Sequence, residues 1–150
     1  MSPRHKRFAI FVLEDREGRV LLQHKAREPP KAWALFGGGI RNGETPLQAV
    51  KREAREELGL DPRFRFFGRY EVKEEGSLNE KFLFIAPMEG RLEELKKRQK
   101  TGDGLGLFGY EDIRLFDLKE GTKVILKDLF RETLRTGILE VKKKSNPEAA

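Results

Sequence analysis

The stretch Gly38-Gly39-Ile40-Arg41-Asn42-Gly43-Glu44-Thr45-Pro46-Leu47-Gln48-Ala49-Val50-Lys51-Arg52-Glu53-Ala54-Arg55-Glu56-Glu57-Leu58-Gly59-Leu60 holds the strongest pattern in the chain. Its middle predicts a helix over 45–58. Thr45 offers a side-chain oxygen to the helix N-terminus, Pro46 fits the first helical position, and Gln48 completes a capping box. Gly59 then supplies a left-handed stop. At roughly 100° per residue, Leu47, Val50, Ala54 and Leu58 share one apolar stripe. Glu53, Glu56 and Glu57 share another, because residues three and four apart are neighbours on a helix surface.

Carboxylates packed this way repel one another. Arg52 and Arg55 relieve part of that repulsion through neighbouring ion pairs, and an acidic face turned to water is one outcome. A divalent cation is the other, since converging carboxylate oxygens make a hard-cation site. The residues before the helix favour the second reading. Gly37-Gly38-Gly39 allows close backbone approach, and Glu44 adds a fourth carboxylate at the helix N-terminus.

Composition narrows the chemistry further. The 150 residues suit one ordinary domain, placed at 1–141, with a basic, disordered tail over 142–150. There is no cysteine, and His5 and His24 are the only histidines, so a bound metal is held mainly by oxygen. That points to magnesium, manganese or calcium. No apolar run approaches the ~18 residues of a membrane span, and the N-terminus lacks the form of a signal peptide. The expected address is cytoplasmic, with no membrane partner. Net charge is +6, and the runs Lys96-Lys97-Arg98-Gln99-Lys100 and Lys142-Lys143-Lys144 supply much of it. These read as solvated faces, while their sign also suits anionic substrates or nucleic acid.

Outside the helix, the continuous apolar run 8–13 predicts a buried strand, followed by a turn at 15–18 and a partner strand at 20–23. Residues 27–31 read as loop. Strands are expected at 64–72 and 81–87 with a polar loop at 73–80 between them, and another at 113–116. The 89–107 segment fits helix or strand. A second helix is expected over 122–136, stopped by Gly137. Two helices far apart among strands argue for a mixed β-sheet between helices.

Taken together, Gly38, Glu44 after five intervening residues and the Arg52-Glu53-Ala54-Arg55-Glu56-Glu57-Leu58-Gly59-Leu60 run resemble the Nudix box of the Nudix hydrolase superfamily at every fixed position. Ala54 stands where the box takes an aliphatic residue. Trp33 precedes the glycines at the distance seen in that family, while Phe36 stands where many relatives carry proline.

The resemblance implies an α/β/α sandwich and magnesium-dependent hydrolysis of a diphosphate linkage, with manganese as a substitute. It implies Glu56 and Glu57 as metal ligands with Glu53 beside them, Glu44 as a further ligand, and Gly38 donating a backbone carbonyl. Arg52 would orient the carboxylates by charge-assisted hydrogen bonds. The box leaves the general base open: a box glutamate is preferred, with Glu80, Asp103, Glu111 and Asp112 as other acids.

The secondary signatures of the dinucleotide, ADP-ribose, diadenosine-polyphosphate and coenzyme A types are missing, which leaves a MutT-like nucleotide pyrophosphohydrolase. ADP-ribose or dinucleotide polyphosphates are the alternative substrates. A nucleic-acid-binding or RNA 5′-end-processing domain is the competing class. Gly38 and Gly39 are expected to approach a small-molecule nucleotide. Among the aromatics Trp33, Phe36, Phe67, Tyr70, Phe108 and Tyr110, Tyr110 is the expected exposed stacking platform, whereas Phe67 and Phe108 are assigned to packing. His24 reads as a satisfied strand residue. The expected assembly is a monomer or homodimer.

Overall fold

The computed structural model describes residues 4–25, 32–74, 76–100 and 102–136, with side chains detailed for most of them. The expected 27–31 loop, the Gly137 stop and the basic tail lie outside the described residues.

β1 (Arg4–Glu14) runs parallel to β6 (Ser77–Pro87), from Arg4↔Ser77 to Glu14↔Pro87, and β5 (Arg65–Glu74) pairs antiparallel on the far side of β6. β2 (Val20–Lys25) touches β1 in register only at Glu14↔Val20 and continues away, pairing with β3 (Ala32–Ala34) and β7 (Gly104–Phe108). β4 (Phe36–Gly39) fills the space so opened, antiparallel to the Phe8–Phe11 stretch of β1. One parallel pair among antiparallel ones makes the sheet mixed.

The apolar run 8–13 is continuous because both faces of β1 are covered. Ala9, Phe11 and Leu13 face the cluster built with α1 (Pro46–Leu58), while Ile10 and Val12 face the cluster built with α3 (Glu120–Thr136). Val50, Ala54 and Leu58 of the predicted stripe are wholly buried against Phe36, Phe82 and Phe84, with Ala49 beside them, while Leu47 is only partly buried. Burying a side chain the size of Leu58 stabilises by about 1.5–3 kcal/mol. The result is an α/β/α sandwich. Among the described residues, no helix is long and apolar enough to cross a membrane.

The ends of α1 follow the sequence closely. Thr45 Oγ1 accepts from Gln48 N at 3.1 Å, Gln48 Oε1 accepts from Thr45 N at 2.9 Å, and Gly59 has φ 64°. Elsewhere two expectations need correcting and one open segment is resolved. The polar 73–80 segment is mostly strand: β5 runs to Glu74 and β6 begins at Ser77, because the start of β1 pairs with the polar end of β6. Residues 113–116 do not form a strand. The chain makes a 3-10 helix over Tyr110–Arg114, with Asp112 Oδ2 accepting from Gly109 N at 2.8 Å at its start. The ambiguous 89–107 segment is both things in turn, α2 (Leu92–Arg98) and then β7. Leu95 is buried on the α1 side, whereas Leu92 lies at the margin of that cluster.

Candidate active site

The loop between β4 and α1 and the outward side of α1 converge on one guanidinium. Arg52 Nε donates to Glu44 Oε2 at 2.7 Å and Nη2 to Glu44 Oε1 at 2.9 Å, a forked pairing that only a planar guanidinium makes. Its Nη1 donates to Glu53 Oε1 at 2.9 Å and to Glu56 Oε2 at 3.3 Å, and Nη2 also reaches the Gly39 carbonyl at 3.0 Å. A single cation thus gathers carboxylates from the loop and from two successive turns of the helix. Arg41 adds to both ends: its backbone N–H donates to Glu44 Oε1 at 2.8 Å, and its side chain lies 3.5 Å from Glu56 Oε1.

This arrangement fixes the protonation of Glu44. The Arg52 hydrogen bonds, followed by the Arg41 N–H, lower its pKa to about 2. Arg52 in turn is held above its ordinary value, chiefly by its bonds to Glu44. Both groups stay charged over the whole working range of pH.

Gly38 sets the floor of the site. It pairs with Ala9 in β4, and a Cβ added there would overlap the Glu53 carboxylate, with Glu53 Cδ only 2.7 Å away. The Glu53 side chain therefore lies on the bare backbone of Gly38, with 12% of its surface exposed.

The three helix glutamates do not form a solvated acidic face. Glu56 is half exposed at 49%, but Glu57 is 5% exposed. The acidic stripe is thus covered at Glu57 and open at Glu56. The cause is α2 and the chain that follows it. Lys100 N donates to Glu57 O at 2.9 Å and Arg98 Nη1 to Gly59 O at 3.3 Å, so that segment closes over the last turn of α1.

The site's donors are carboxylate and carbonyl oxygens, the chemistry that a hard divalent cation requires. Among the described residues, no group of three or more Asp, Glu, His or Cys side chains is drawn together closely enough to enclose a metal ion, because Arg52 occupies the point where the glutamates meet. The chemistry of the donor set, carboxylates beside the bare Gly38 backbone, nevertheless suits such an ion.

The later acids are committed elsewhere. Glu80 bridges Arg7, at 3.1 Å, and Arg69; burial opposes its ionisation, yet the two arginines outweigh it and hold its pKa below the usual range. Asp103 pairs with His24 Nδ1 at 3.0 Å, which makes His24 a satisfied strand residue, and Asp112 caps the 3-10 helix. Glu111 is exposed in that helix.

The aromatics are likewise mostly structural. Phe36, Phe67 and Phe108 are buried, and Trp33 packs 4.8 Å from Phe108 and edge-on to His24. Tyr70 donates to Asp128 Oδ2 at 2.7 Å. Tyr110 is 55% exposed, as expected of a platform, but its ring leans on Phe130 of α3. It stands on the face of the sheet opposite α1 and is not brought together with the glutamates.

One participant went unnoticed in the sequence, Arg41. Its signal was positional: a lone basic residue inside the loop that joins Gly38 to Glu44.

The NUDIX domain family model matches residues 3–129. Over 53 residues the chain is 49% identical to an RNA pyrophosphohydrolase of Halorhodospira halophila, a stretch covering 35% of this chain and 28% of that relative. The chain spans less than a third of the length of this and similar curated relatives. Among solved structures, a MutT protein from Methanosarcina mazei superposes with TM-score 0.72 at 14% identity, covering 91% of this chain and 99% of that one. A MutT protein from Bacillus halodurans superposes with TM-score 0.60 at 27% identity, covering 81% and 80%.

Proposed function

This chain belongs to the NUDIX domain family, and from that premise we propose that it is a divalent-metal-dependent hydrolase cleaving a diphosphate linkage in a nucleoside triphosphate or related nucleotide. The observation that carries the reading is the Arg52 hub. It gathers Glu44, Glu53, Glu56 and the Gly39 carbonyl on the edge of α1, with Glu53 laid on Gly38.

In this reading Glu56 and Glu57 hold the metal, with Glu53, Glu44 and the Gly38 carbonyl contributing. Bound Mg2+, or Mn2+ in its place, supplies neutralisation of the diphosphate charge and a lowered pKa for water. Arg52 keeps Glu44 ionised and aims Glu53 and Glu56, and the Gly38–Gly39 backbone lets a phosphate chain approach closely. Water attacks phosphorus, the anhydride P–O bond breaks, and the departing phosphate takes the bonding pair. A glutamate of α1 takes the proton. Glu53 suits this best, because Arg52 engages Oε1 and the proton can go to Oε2. No protein nucleophile is needed. The products are a nucleoside monophosphate and the second phosphate fragment.

A second reading, hydrolysis at the 5′ end of RNA, is favoured by two observations. One is the similarity to an RNA pyrophosphohydrolase over 53 residues. The other is the exposed Lys96, Lys97, Arg98 and Lys100 beside the C-terminal end of α1.

A single panel tests both readings. Ordinary and oxidised nucleoside triphosphates, ADP-ribose, diadenosine polyphosphates and RNA bearing a 5′ triphosphate are incubated with magnesium, and the products are resolved chromatographically. Turnover lost by at least ~100-fold in Glu57→Gln is the expected result for a metal-holding carboxylate. Full activity in Glu57→Gln, or no anhydride cleavage by the native protein, would refute the proposal.

A further inference from the structure

The strand that carries the Gly38 floor and the Gly39 carbonyl is weakly anchored by its own sequence. β4 is Phe36-Gly37-Gly38-Gly39, and Phe36 alone brings a side chain to the core. Glycine leaves the backbone freer than any other residue, and Gly37 uses that freedom at φ 140°. Among the described residues β4 pairs with β1 only, so a single ladder holds it. At its far end Arg52 Nη2 donates to the Gly39 carbonyl at 3.0 Å.

The near end is gripped at Leu35, the residue between β3 and β4. Its N–H donates to Thr122 Oγ1 at 3.2 Å, and its C=O accepts from Gln23 Nε2 at 3.3 Å. Both side chains are buried, Thr122 at 5% exposure and Gln23 at 0%. They reach Leu35 from separate elements. Gln23 sits on β2, opposite Ala34 of β3 and Leu105 of β7. Thr122 stands in the first turn of α3, whose start is fastened to β3: Trp33 N donates to Asp117 O and Lys119 N to Trp33 O, each at 2.9 Å. Burying a polar side chain costs free energy that an apolar one at the same place would avoid. What the two polar groups supply in return is direction, because they fix the peptide planes on both sides of Leu35.

We infer that Thr122 and Gln23 are positioning residues of the reaction centre. Holding Leu35 from both sides, they set the angle at which β4 enters the site, and with it the Gly38 floor under Glu53 and the Gly39 carbonyl on Arg52. The inference rests on the hydrolase reading above. Neither side chain is among the partners of Arg52, and both act through the backbone between Leu35 and Gly38.

The test uses the full chain, well below the Tm of each variant. Thr122→Val keeps the side-chain shape and removes the acceptor, so the Leu35 N–H must turn to find another. Gln23→Met keeps the length and removes the donor. In each, kcat for magnesium-dependent anhydride cleavage should fall by at least ~10-fold with KM within ~threefold of native. Thr122→Ser, which keeps the hydroxyl, should recover most of the loss. Since both groups grip one residue, the double variant should lose less than the product of the single losses. Amide exchange gives a readout independent of turnover: it should quicken by ~10-fold over residues 35–39 in Thr122→Val and Gln23→Met, and stay native over Leu83–Ile85 of β6.

A merely structural role predicts a lower Tm with native kcat in the folded variants, and that result would overturn the inference. Equal losses in Thr122→Ser and Thr122→Val would overturn it as well. Gln23→Met, on a different element, keeps the test decisive if Thr122→Val does not fold. Should the native chain cleave no anhydride, the hydrolase reading fails, and exchange over 35–39 alone decides whether Leu35 is clamped: native rates in both variants sink the clamp.

Discussion

Replacing Gly38 by alanine should separate activity from stability. Gly38 sits in β4 and is not among the glycines with positive φ, so alanine fits its backbone without strain. On conformational grounds the change is neutral or stabilising by up to about 1 kcal/mol. The new Cβ, however, would lie 2.7 Å from Glu53 Cδ and 3.0 Å from Glu53 Oε2, where ordinary contact begins at 3.4 Å. The closest overlap is with Glu53 Oε1, and restoring ordinary contact at Cδ alone takes about 0.7 Å, which stretches or breaks the 2.9 Å bond from Arg52 to Oε1. A displacement of that size in a reacting group costs ~100-fold in rate, or about 2.7 kcal/mol of barrier. The assay is kcat/KM for magnesium-dependent diphosphate cleavage, read beside a thermal melt of the same protein. The expected outcome is a Tm within a few degrees of native and the rate loss just given. Shortening the obstructed side chain supplies the cross-check: with Glu53→Asp present, Gly38→Ala should cost much less than it does alone, a non-additive cycle. Native kcat/KM in Gly38→Ala, or strictly additive losses in the pair, would refute the reasoning.

Other perturbations follow from the same structure. The pKa of Glu44 is depressed from its ordinary 4.5 to about 2, so the stability it lends is present above pH 4.5 and is lost as pH falls through that window. An acid titration of Tm should accordingly be flatter between those values in Arg52→Gln than in the native chain, and equal slopes would remove the coupling. Leu95→Ala empties a fully buried position of α2 and should destabilise by about 2–4 kcal/mol in urea unfolding. Gly102 has φ 74°, and a Cβ would come within 2.8 Å of Gln23 Oε1 and the His24 carbonyl. Gly102→Ala should therefore cost about 1–3 kcal/mol, read from the shift of its urea midpoint.

How much of this was written in the sequence depended on how local the cause was. Thr45, Pro46, Gln48 and Gly59 act within one turn of themselves, and α1 begins and ends where they say. Phe8 to Leu13 announced a strand covered on both faces, because continuous burial needs no partner's identity. The polar 73–80 segment was misleading for the opposite reason: its pairing partner is the start of β1, some seventy residues away. Ile113 looked like strand, yet Asp112 and Gly109 settle a helical turn there through one side-chain bond. In the site, the box residues stood out through their resemblance to a family motif, which also implied the orienting role of Arg52. The burial of Glu57 was not legible, since it depends on where α2 comes to rest, and Leu92 and Leu95 alone left that segment open between helix and strand.

That covering segment has a consequence for how the reaction centre varies. The last carbonyls of a helix ordinarily lack partners, and the final turn frays. Here Lys100 N and the Arg98 side chain satisfy Glu57 O and Gly59 O from outside, so the turn that bears Glu56 and Glu57 is sutured shut by a neighbouring piece of chain. Changes in the Glu89–Arg91 connection that leads into α2, far from any charged group of the reaction, would then reach catalysis as a change in how often that turn opens. Amide exchange at Lys100 and the lifetime of the closed turn that bears the proposed metal ligands become two readings of one local opening.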